Sequence, residues 1–371
     1  MVEEQKRVFE AIRKAQVENK KSVLVTVVEV SGSAYRREGA KMLVDESGKT
    51  TGMISGGCLE SDVAEVAKEV LETGKSVLKT YVMDEDLVWG LGLGCPGTVH
   101  LFMELVPAEE EAFSAWINAI ETDQEGMMAT VVEESQSSRR LFVPKKDGNS
   151  VGTIQDSYLE QQIKDTVAKK FAERNPKSET VPYKDEAGNQ VDVFLDVYQP
   201  PIPLLIFGAG HDAIPVARYA VSLGMKTTVI DQRLYYNSEE RFPGTNRIIA
   251  SPSQFADNVH IDDRTYVIVM NHHIERDRDT LKFVLPSDAC YVGVLGPRKR
   301  RVKMLEAIKE EGIEFSSSQL ARMYNPIGLD IGASTPEEIA ISMMSEIIAI
   351  QKGHTGGFLQ GAEHIHEAQN A

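Results

Sequence analysis

The chain of 371 residues is 42% hydrophobic and 26% charged, long enough for two domains of ordinary size with a core in each. Lys and Arg total 40 against 56 for Asp and Glu, a formal net charge of −16 that opposes general binding to nucleic acid or to an anionic membrane surface. No apolar stretch reaches the roughly 18 residues of a membrane span, the first residues lack the apolar run of a signal peptide, and three cysteines without a CxxC pair exclude a disulfide framework and a thioredoxin-type motif; the expected compartment is the cytoplasm.

In chain order, the helical spacing of Val8, Phe9, Ile12, Ala15 and Val17 predicts a helix across Val2 to Lys20, followed by a β-branched strand from Ser22 to Val30. Short strands are expected at Lys41 to Val44 and Thr51 to Ile54, then a helix over about Leu59 to Glu72 and strands at Ser76 to Val82 and Thr98 to Leu105. From about 107 an extension continues with a helix to Ile120, a strand at Met127 to Val132, a hairpin-like Arg140 to Ile154 and a polar helix to Phe171. No motif in the extension points to chemistry, and no internal repeat is visible. The stiff, donor-poor run Tyr198-Gln-Pro-Pro-Ile-Pro203 marks a linker and closes an N-terminal domain at 1–199.

Beyond the linker, fully apolar strands at Leu204 to Phe207, Thr227 to Ile230, Tyr266 to Met270 and Tyr291 to Leu295 alternate with helices, which predicts a parallel sheet covered on both faces over 203–352. A last helix, Thr335 to Gln351, is expected to open with Ser334 as N-cap, Pro336 in its first turn and Glu337 at the capping-box position. Residues 353–371, rich in Gly, His and Gln, read as a disordered tail. The fold class is therefore α/β: a C-terminal Rossmann-like parallel-sheet domain plus an N-terminal mixed α+β domain.

Phe207-Gly-Ala-Gly-His-Asp-Ala213 follows a predicted strand and opens a predicted helix, a GxGxxA variant of the dinucleotide-binding turn. Gly208 suits the tight turn, Gly210 lets a phosphate approach the backbone, and His211 stands at the helix start as a phosphate donor or a cap. Asp231, at the end of the second strand, occupies the place of the acid that binds a ribose hydroxyl, and Arg233 either pairs with it or holds a phosphate. These positions suit a nucleotide or NAD(P), against the alternative of a corner that binds nothing.

Two glycine loops carry cysteines. In Ser55-Gly56-Gly57-Cys58-Leu59-Glu60 a thiol falls at a helix start, where the dipole and free amides stabilise a thiolate and two glycines let a bulky ligand reach the backbone. Trp89-Gly-Leu-Gly-Leu-Gly-Cys-Pro-Gly97 sets Cys95 in a loop able to wrap a ligand. Arg36 and Arg37, in the turn after the first strand, suit a phosphate or carboxylate, or equally a solvated loop. Cys290, beside Tyr291 in an apolar strand, reads as core. Asn271-His-His273 suits capping or hydrogen bonding better than a metal, and Gly296-Pro-Arg-Lys-Arg-Arg301 loads a helix start with cations, which reads either as a place for an anion or as an exposed basic face or patch for an acidic partner. No GxSxG, HExxH or P-loop supports hydrolase chemistry.

In these residues the chain resembles the xanthine dehydrogenase accessory proteins, the XdhC/CoxI family of molybdenum-cofactor chaperones. One block of resemblance runs from Gly32-Ser-Ala34 through Ser55-Gly-Gly-Cys-Leu-Glu60 and Cys95 to Glu104. The other runs from Gly208-Ala-Gly-His211 through Asp231, Arg233, Asn237 and Arg241-Phe-Pro243 to Pro326-Ile-Gly-Leu-Asp-Ile-Gly332 and Thr335-Pro-Glu-Glu-Ile-Ala340. The resemblance implies an accessory protein that binds the molybdopterin cofactor, protects it while a cysteine desulfurase supplies sulfur, and delivers it to a xanthine-dehydrogenase-type apoenzyme, to which purine turnover belongs. It places Cys58 and Cys95 near the molybdenum or its dithiolene, where soft sulfur suits the metal, and Gly56, Gly57, Glu60, Arg36 and Arg37 around the pterin or its phosphate. The competing readings are an NAD(P)-dependent oxidoreductase, for which no catalytic acid or lysine can be named, and a non-enzymatic docking scaffold. A homodimer fits a carrier of a hidden cofactor. Where the family shows glycine after the second cysteine, this chain has Pro96.

Overall fold

Alternation along the first strand sets the architecture of the N-terminal half. Val23, Val25 and Val27 face one way into a core with Val63, Ala67 and Val70, while Leu24 faces the other way into a second core with Val8, Phe9 and Ile12. The elements are α1 (Val2–Val17), β1 (Ser22–Gly32), β2 (Lys41–Asp45), β3 (Thr50–Gly52), α2 (Glu60–Thr73), β4 (Val77–Met83) and β5 (Gly97–Leu105), with the strands in the order β3-β2-β1-β5-β4, all neighbours antiparallel. They belong to a computed structural model that describes residues 2–32, 34–83, 97–135, 138–146, 148–173 and 175–360. The chain divides into two units, Met1–Pro200 and Pro201–Ala371.

The extension from about 107 is a second copy of the same arrangement, a correction to the reading that found no repeat. It consists of α3 (Glu111–Glu121), β6 (Gly126–Val131), β7 (Arg140–Pro144), β8 (Val151–Thr153), α4 (Ser157–Phe171), β9 (Glu179–Lys184) and β10 (Gln190–Tyr198), with strand order β8-β7-β6-β10-β9. The registers coincide. Thr26 stands between Lys41 and Phe102 in the first sheet, and Thr130 between Arg140 and Phe194 in the second. Gly52 and Gly152 share φ +91°, and a Cβ on either would overlap the carbonyl of the neighbouring strand, Lys41 O or Arg140 O. Strands β9 and β10 lie where the sequence reading placed none. The edge strand β9, Glu-Thr-Val-Pro-Tyr-Lys, carries a proline and exposed polar residues and so lacks an apolar run.

The second unit holds β11 (Pro203–Phe207), α5 (Ala213–Ser222), β12 (Lys226–Ile230), β13 (Asn246–Ile248), a 3₁₀ turn leading into α6 (Phe255–Asn258), β14 (Tyr266–Val269), α7 (Ile274–Val284), β15 (Tyr291–Val294), α8 (Arg298–Glu310), α9 (Ser317–Ala321), β16 (Met323–Tyr324) and α10 (Pro336–Lys352). Its sheet is parallel in the order β13-β12-β11-β14-β15-β16, which places the topological switch point between β11 and β14. Helices α5 and α10 pack on one face through Val216, Ala220, Met343 and Ile347, and α7 and α8 on the other through Leu281, Val284, Met304 and Ile308.

The cap of α10 lies one residue later than expected. Thr335 is the N-cap, Pro336 takes the first helical position, where a missing N–H costs nothing, and Glu338 rather than Glu337 closes the capping box. Gly353 ends the helix in a left-handed conformation, and His354 N donates to Ala349 O; of the tail beginning at 353, residues 361–371 lie outside the described residues.

Candidate functional site

The turn between β3 and α2 is built around one hydroxyl and one carboxylate. Ser55 Oγ accepts from the backbone N–H groups of Gly57, Cys58 and Leu59 at 3.2, 3.1 and 3.2 Å and donates to Glu60 Oε2. Glu60 Oε1 also accepts from Ser55 N at 2.9 Å, and Oε2 from Leu59 N at 3.2 Å. Burial raises the Glu60 carboxyl's pKa, but the Ser55 and backbone hydrogen bonds outweigh it and hold the group below the usual carboxylate range. Ser55 is buried, Gly56, Gly57 and Cys58 are exposed, and Cys58 is a free thiol. Gly57 has φ +107°, and a Cβ on Gly56 would lie 3.6 Å from the ring of Tyr35.

Three chain segments meet at this end of the first sheet. Gly32, the last residue of β1, pairs with Gly97, the first of β5, which pairs with Met83, the last of β4. Asp62, in the first turn of α2, accepts from Lys79 Nζ and Tyr81 OH of β4. The Cys58 turn, the Tyr35 loop after β1 and the two strand ends that bracket residues 84–96 therefore share one edge. Cys95 and Pro96 lie outside the described residues. In the Tyr35 loop, Arg36 pairs with Glu4 of α1, while Arg37, 44% exposed, touches Gly32 O and Glu38. Sequence reasoning passes over Tyr35 and Ser55 as site builders; the signal for Ser55 is a lone hydroxyl directly before two glycines at a helix start.

In the second unit Gly208 has φ +118°, and a Cβ there would overlap Met270 O, so the first turn of the Rossmann-like sheet requires glycine. Asp231 is fully engaged inside the fold. Its Oδ2 accepts from Ala209 N at 2.9 Å and from Arg233 Nη2 at 2.6 Å, and its Oδ1 from Arg233 N and Nε. Burial raises the Asp231 carboxyl's pKa, but these bonds prevail and lower it. Arg233 and Arg241 flank the ring of Tyr236 at 4.4 and 5.2 Å, and the exposed His211 meets the same ring edge-on. Over Gly210 stands His272, φ +57°, with Nε2 at 2.5 Å from Asp212 Oδ2. Asn271 bonds the buried Asp277, which also holds Arg300, the one residue of the basic turn committed inward by a described side-chain hydrogen bond. Cys290 is partly buried and donates through Sγ to Thr265 O.

Two family models match the chain: the XdhC and CoxI family over residues 15–82 and the XdhC Rossmann domain over residues 204–347. A Bacillus subtilis protein, described as a probable subunit of xanthine dehydrogenase, is 32% identical over 90% of this chain and 94% of its own length. The chain belongs to the XdhC and CoxI family. It is also similar to the Escherichia coli molybdenum cofactor insertion chaperone PaoD, 23% identical over 91% of this chain and 86% of the relative. A crystal structure from Bacillus halodurans, described as a xanthine dehydrogenase, superposes with a TM-score of 0.74 at 26% identity, covering 94% of this chain and 96% of that one. The XdhC and CoxI match takes in the Tyr35 loop and the Cys58 turn, while the second sheet lies between the two matched spans.

Proposed function

We propose that this XdhC-family chain is a molybdenum-cofactor chaperone: it binds the molybdopterin cofactor as cargo, holds it while a cysteine desulfurase supplies sulfur, and delivers it to a xanthine-dehydrogenase-type apoenzyme. The observation that carries the reading is the Ser55–Glu60 turn, an exposed free thiol on two glycines, held rigid from beneath by Ser55 and Glu60 and flanked by the ring of Tyr35. Soft sulfur suits a molybdenum–dithiolene centre, the bare Gly56 and Gly57 admit a bulky ring to the backbone, and the exposed Arg37 supplies a cation for the cofactor phosphate. Cys95, two residues before Gly97, is the proposed second thiol. Family membership and the similarity to PaoD support the same role.

The alternative of a nicotinamide-dependent oxidoreductase requires a free acid at Asp231 and an open phosphate place at Gly210. Asp231 is bonded to Ala209 N and Arg233, and a carboxylate, Asp212, already stands at the start of α5. Among the described residues no helix is long and apolar enough to cross a membrane.

The test is anaerobic incubation of the purified protein with molybdopterin cofactor, removal of free ligand, and assay of retained pterin and molybdenum. Retention by the wild type and its loss in Cys58→Ala is the expected result. Equal retention by wild type and variant would sink the thiol site, and no retention beside tight NAD(H) binding would move the function to the oxidoreductase class.

A further inference from the structure

The two copies in the first unit allow each residue of the Cys58 turn to be read against a counterpart. Thr26-Val-Val-Glu29 corresponds to Thr130-Val-Val-Glu133, Gly52-Met-Ile54 to Gly152-Thr-Ile154, Leu59-Glu60 to Leu159-Glu160, and Phe102-Met-Glu104 to Phe194-Leu-Asp196. The ion pairs between the copies are exchanged: Lys41 of the first meets Asp196 of the second at 2.6 Å, and Arg140 of the second meets Glu104 of the first. Between the sheets lies a cavity of about 20 Å3, room for one water, and its walls include the counterpart pairs Thr26 and Thr130, Phe102 and Phe194, Glu104 and Asp196. Exchanged contacts around a shared centre are the signature of a two-fold dimer fused into one chain.

Glu60 and Glu160, counterparts in the two copies, do the same thing. Each carboxylate takes one hydroxyl and one backbone N–H from the chain just before its helix, with the donors shifted in register: Glu160 Oε1 accepts from Thr153 Oγ1 at 2.6 Å and Ile154 N at 2.9 Å, and Glu60 accepts from Ser55 Oγ and Ser55 N, one residue beyond the counterpart of Ile154. What differs is the residues between. Gly56-Gly57-Cys58 corresponds to Asp156-Ser157-Tyr158, where Asp156 Oδ1 caps α4 through Leu159 N and its Oδ2 takes Glu186 N, closing the turn with the protein's own side chain. The segment 84–96 that carries Cys95 has as its counterpart the tight turn Asp185–Asn189, pinned by Asp185.

We infer that the two copies have divided the work. The first carries the ligand-facing turn and the second is its closed structural partner, and Glu60 is a positioning residue that holds the turn, as Glu160 does in a turn with no thiol, rather than a contact to the cofactor. The assignment of a ligand to the first copy rests on the chaperone reading; the assignment of Glu60 rests on the geometry alone.

Amide hydrogen exchange and pterin retention, measured on full-length Glu60→Gln and Glu160→Gln, test it together. The expected result is that Glu60→Gln speeds exchange at Ser55 and Leu59 by about tenfold, the effect of losing a charge-assisted bond, and weakens retention. Glu160→Gln should speed exchange at Ile154 alone and retain pterin as the wild type does. Lost retention in Glu60→Gln with wild-type exchange at Ser55 and Leu59 would make Glu60 a ligand contact and overturn the inference. Equal loss of retention in both variants would bring the second copy into binding and overturn the division of work. If the wild type retains no pterin, the chaperone reading fails with the division of work built on it, while the exchange data still decide whether Glu60 holds its turn.

Discussion

Lys41 Nζ lies 2.6 Å from Asp196 Oδ2, and the two side chains are 1% and 5% exposed, so a full ion pair is sealed between the two sheets of the first unit. Burial raises the Asp196 carboxyl's pKa and Lys41 opposes it, with the net direction upward. Removing one partner of such a pair leaves a buried charge uncompensated and costs about 3–5 kcal/mol, whereas replacing both with apolar groups is close to neutral. Lys41→Met is therefore expected to unfold at markedly lower denaturant, and Lys41→Met with Asp196→Leu to recover most of the loss. A carboxyl whose folded pKa is raised takes up its proton in the folded state first, so its penalty fades as pH falls through that folded value. The Lys41→Met deficit should accordingly shrink from pH 8 to pH 5. Denaturant unfolding across that range checks the sign, and a deficit that grows on acidification would refute it.

The glycine turn of the second unit supports a separate prediction. Asp212 places a carboxylate at the start of α5, where a pyrophosphate would sit, and His272 holds it there at 2.5 Å. Like charges repel, so the wild type is expected to bind NAD(H) no tighter than roughly millimolar, and Asp212→Ala to tighten binding by about tenfold, or ~1.4 kcal/mol. Calorimetric titration of both proteins decides it. Micromolar binding by the wild type that Asp212→Ala weakens would mean that the carboxylate contacts the ligand, and the turn would be a nucleotide site as built.

How far these features are legible in the sequence differs between the units. The strands β11, β14 and β15 are almost wholly buried, and their short apolar runs announce a parallel sheet. The glycines at 208 and 210 are equally plain. The sequence leaves Asp231 open between pairing and ribose binding, because a spacing says which residues are near and not which of them are already bonded. The duplication stays hidden for a physical reason. The copies share backbone register and a handful of side chains at close approaches, such as Gly52 and Gly152, while surface positions and core residues of similar volume have drifted freely. Lys41 and Arg140 are polar residues in apolar strands, and each makes sense only when its partner in the other copy is seen.

Glu338 gives the pH prediction with a number attached. Its carboxylate accepts from Ser334 N, Thr335 N and Ser334 Oγ at 2.8, 2.9 and 3.0 Å, and these bonds lower its pKa from 4.5 to about 2. A carboxyl depressed in the folded state stabilises it above the unfolded value and loses that contribution as pH falls through the folded one. Glu338→Gln is expected to melt below the wild type at neutral pH because the amide keeps the capping box but loses the charge-assisted bonds that start α10, a helix whose Met343 and Ile347 fill the core of the second unit. The gap between the two melting curves should hold from pH 8 to pH 5, narrow below about pH 4.5 and close near pH 2, because the protonated wild-type side chain then resembles the amide. A gap independent of pH would show that the carboxylate's charge plays no part in capping. A gap that widened on acidification would contradict the depressed pKa itself.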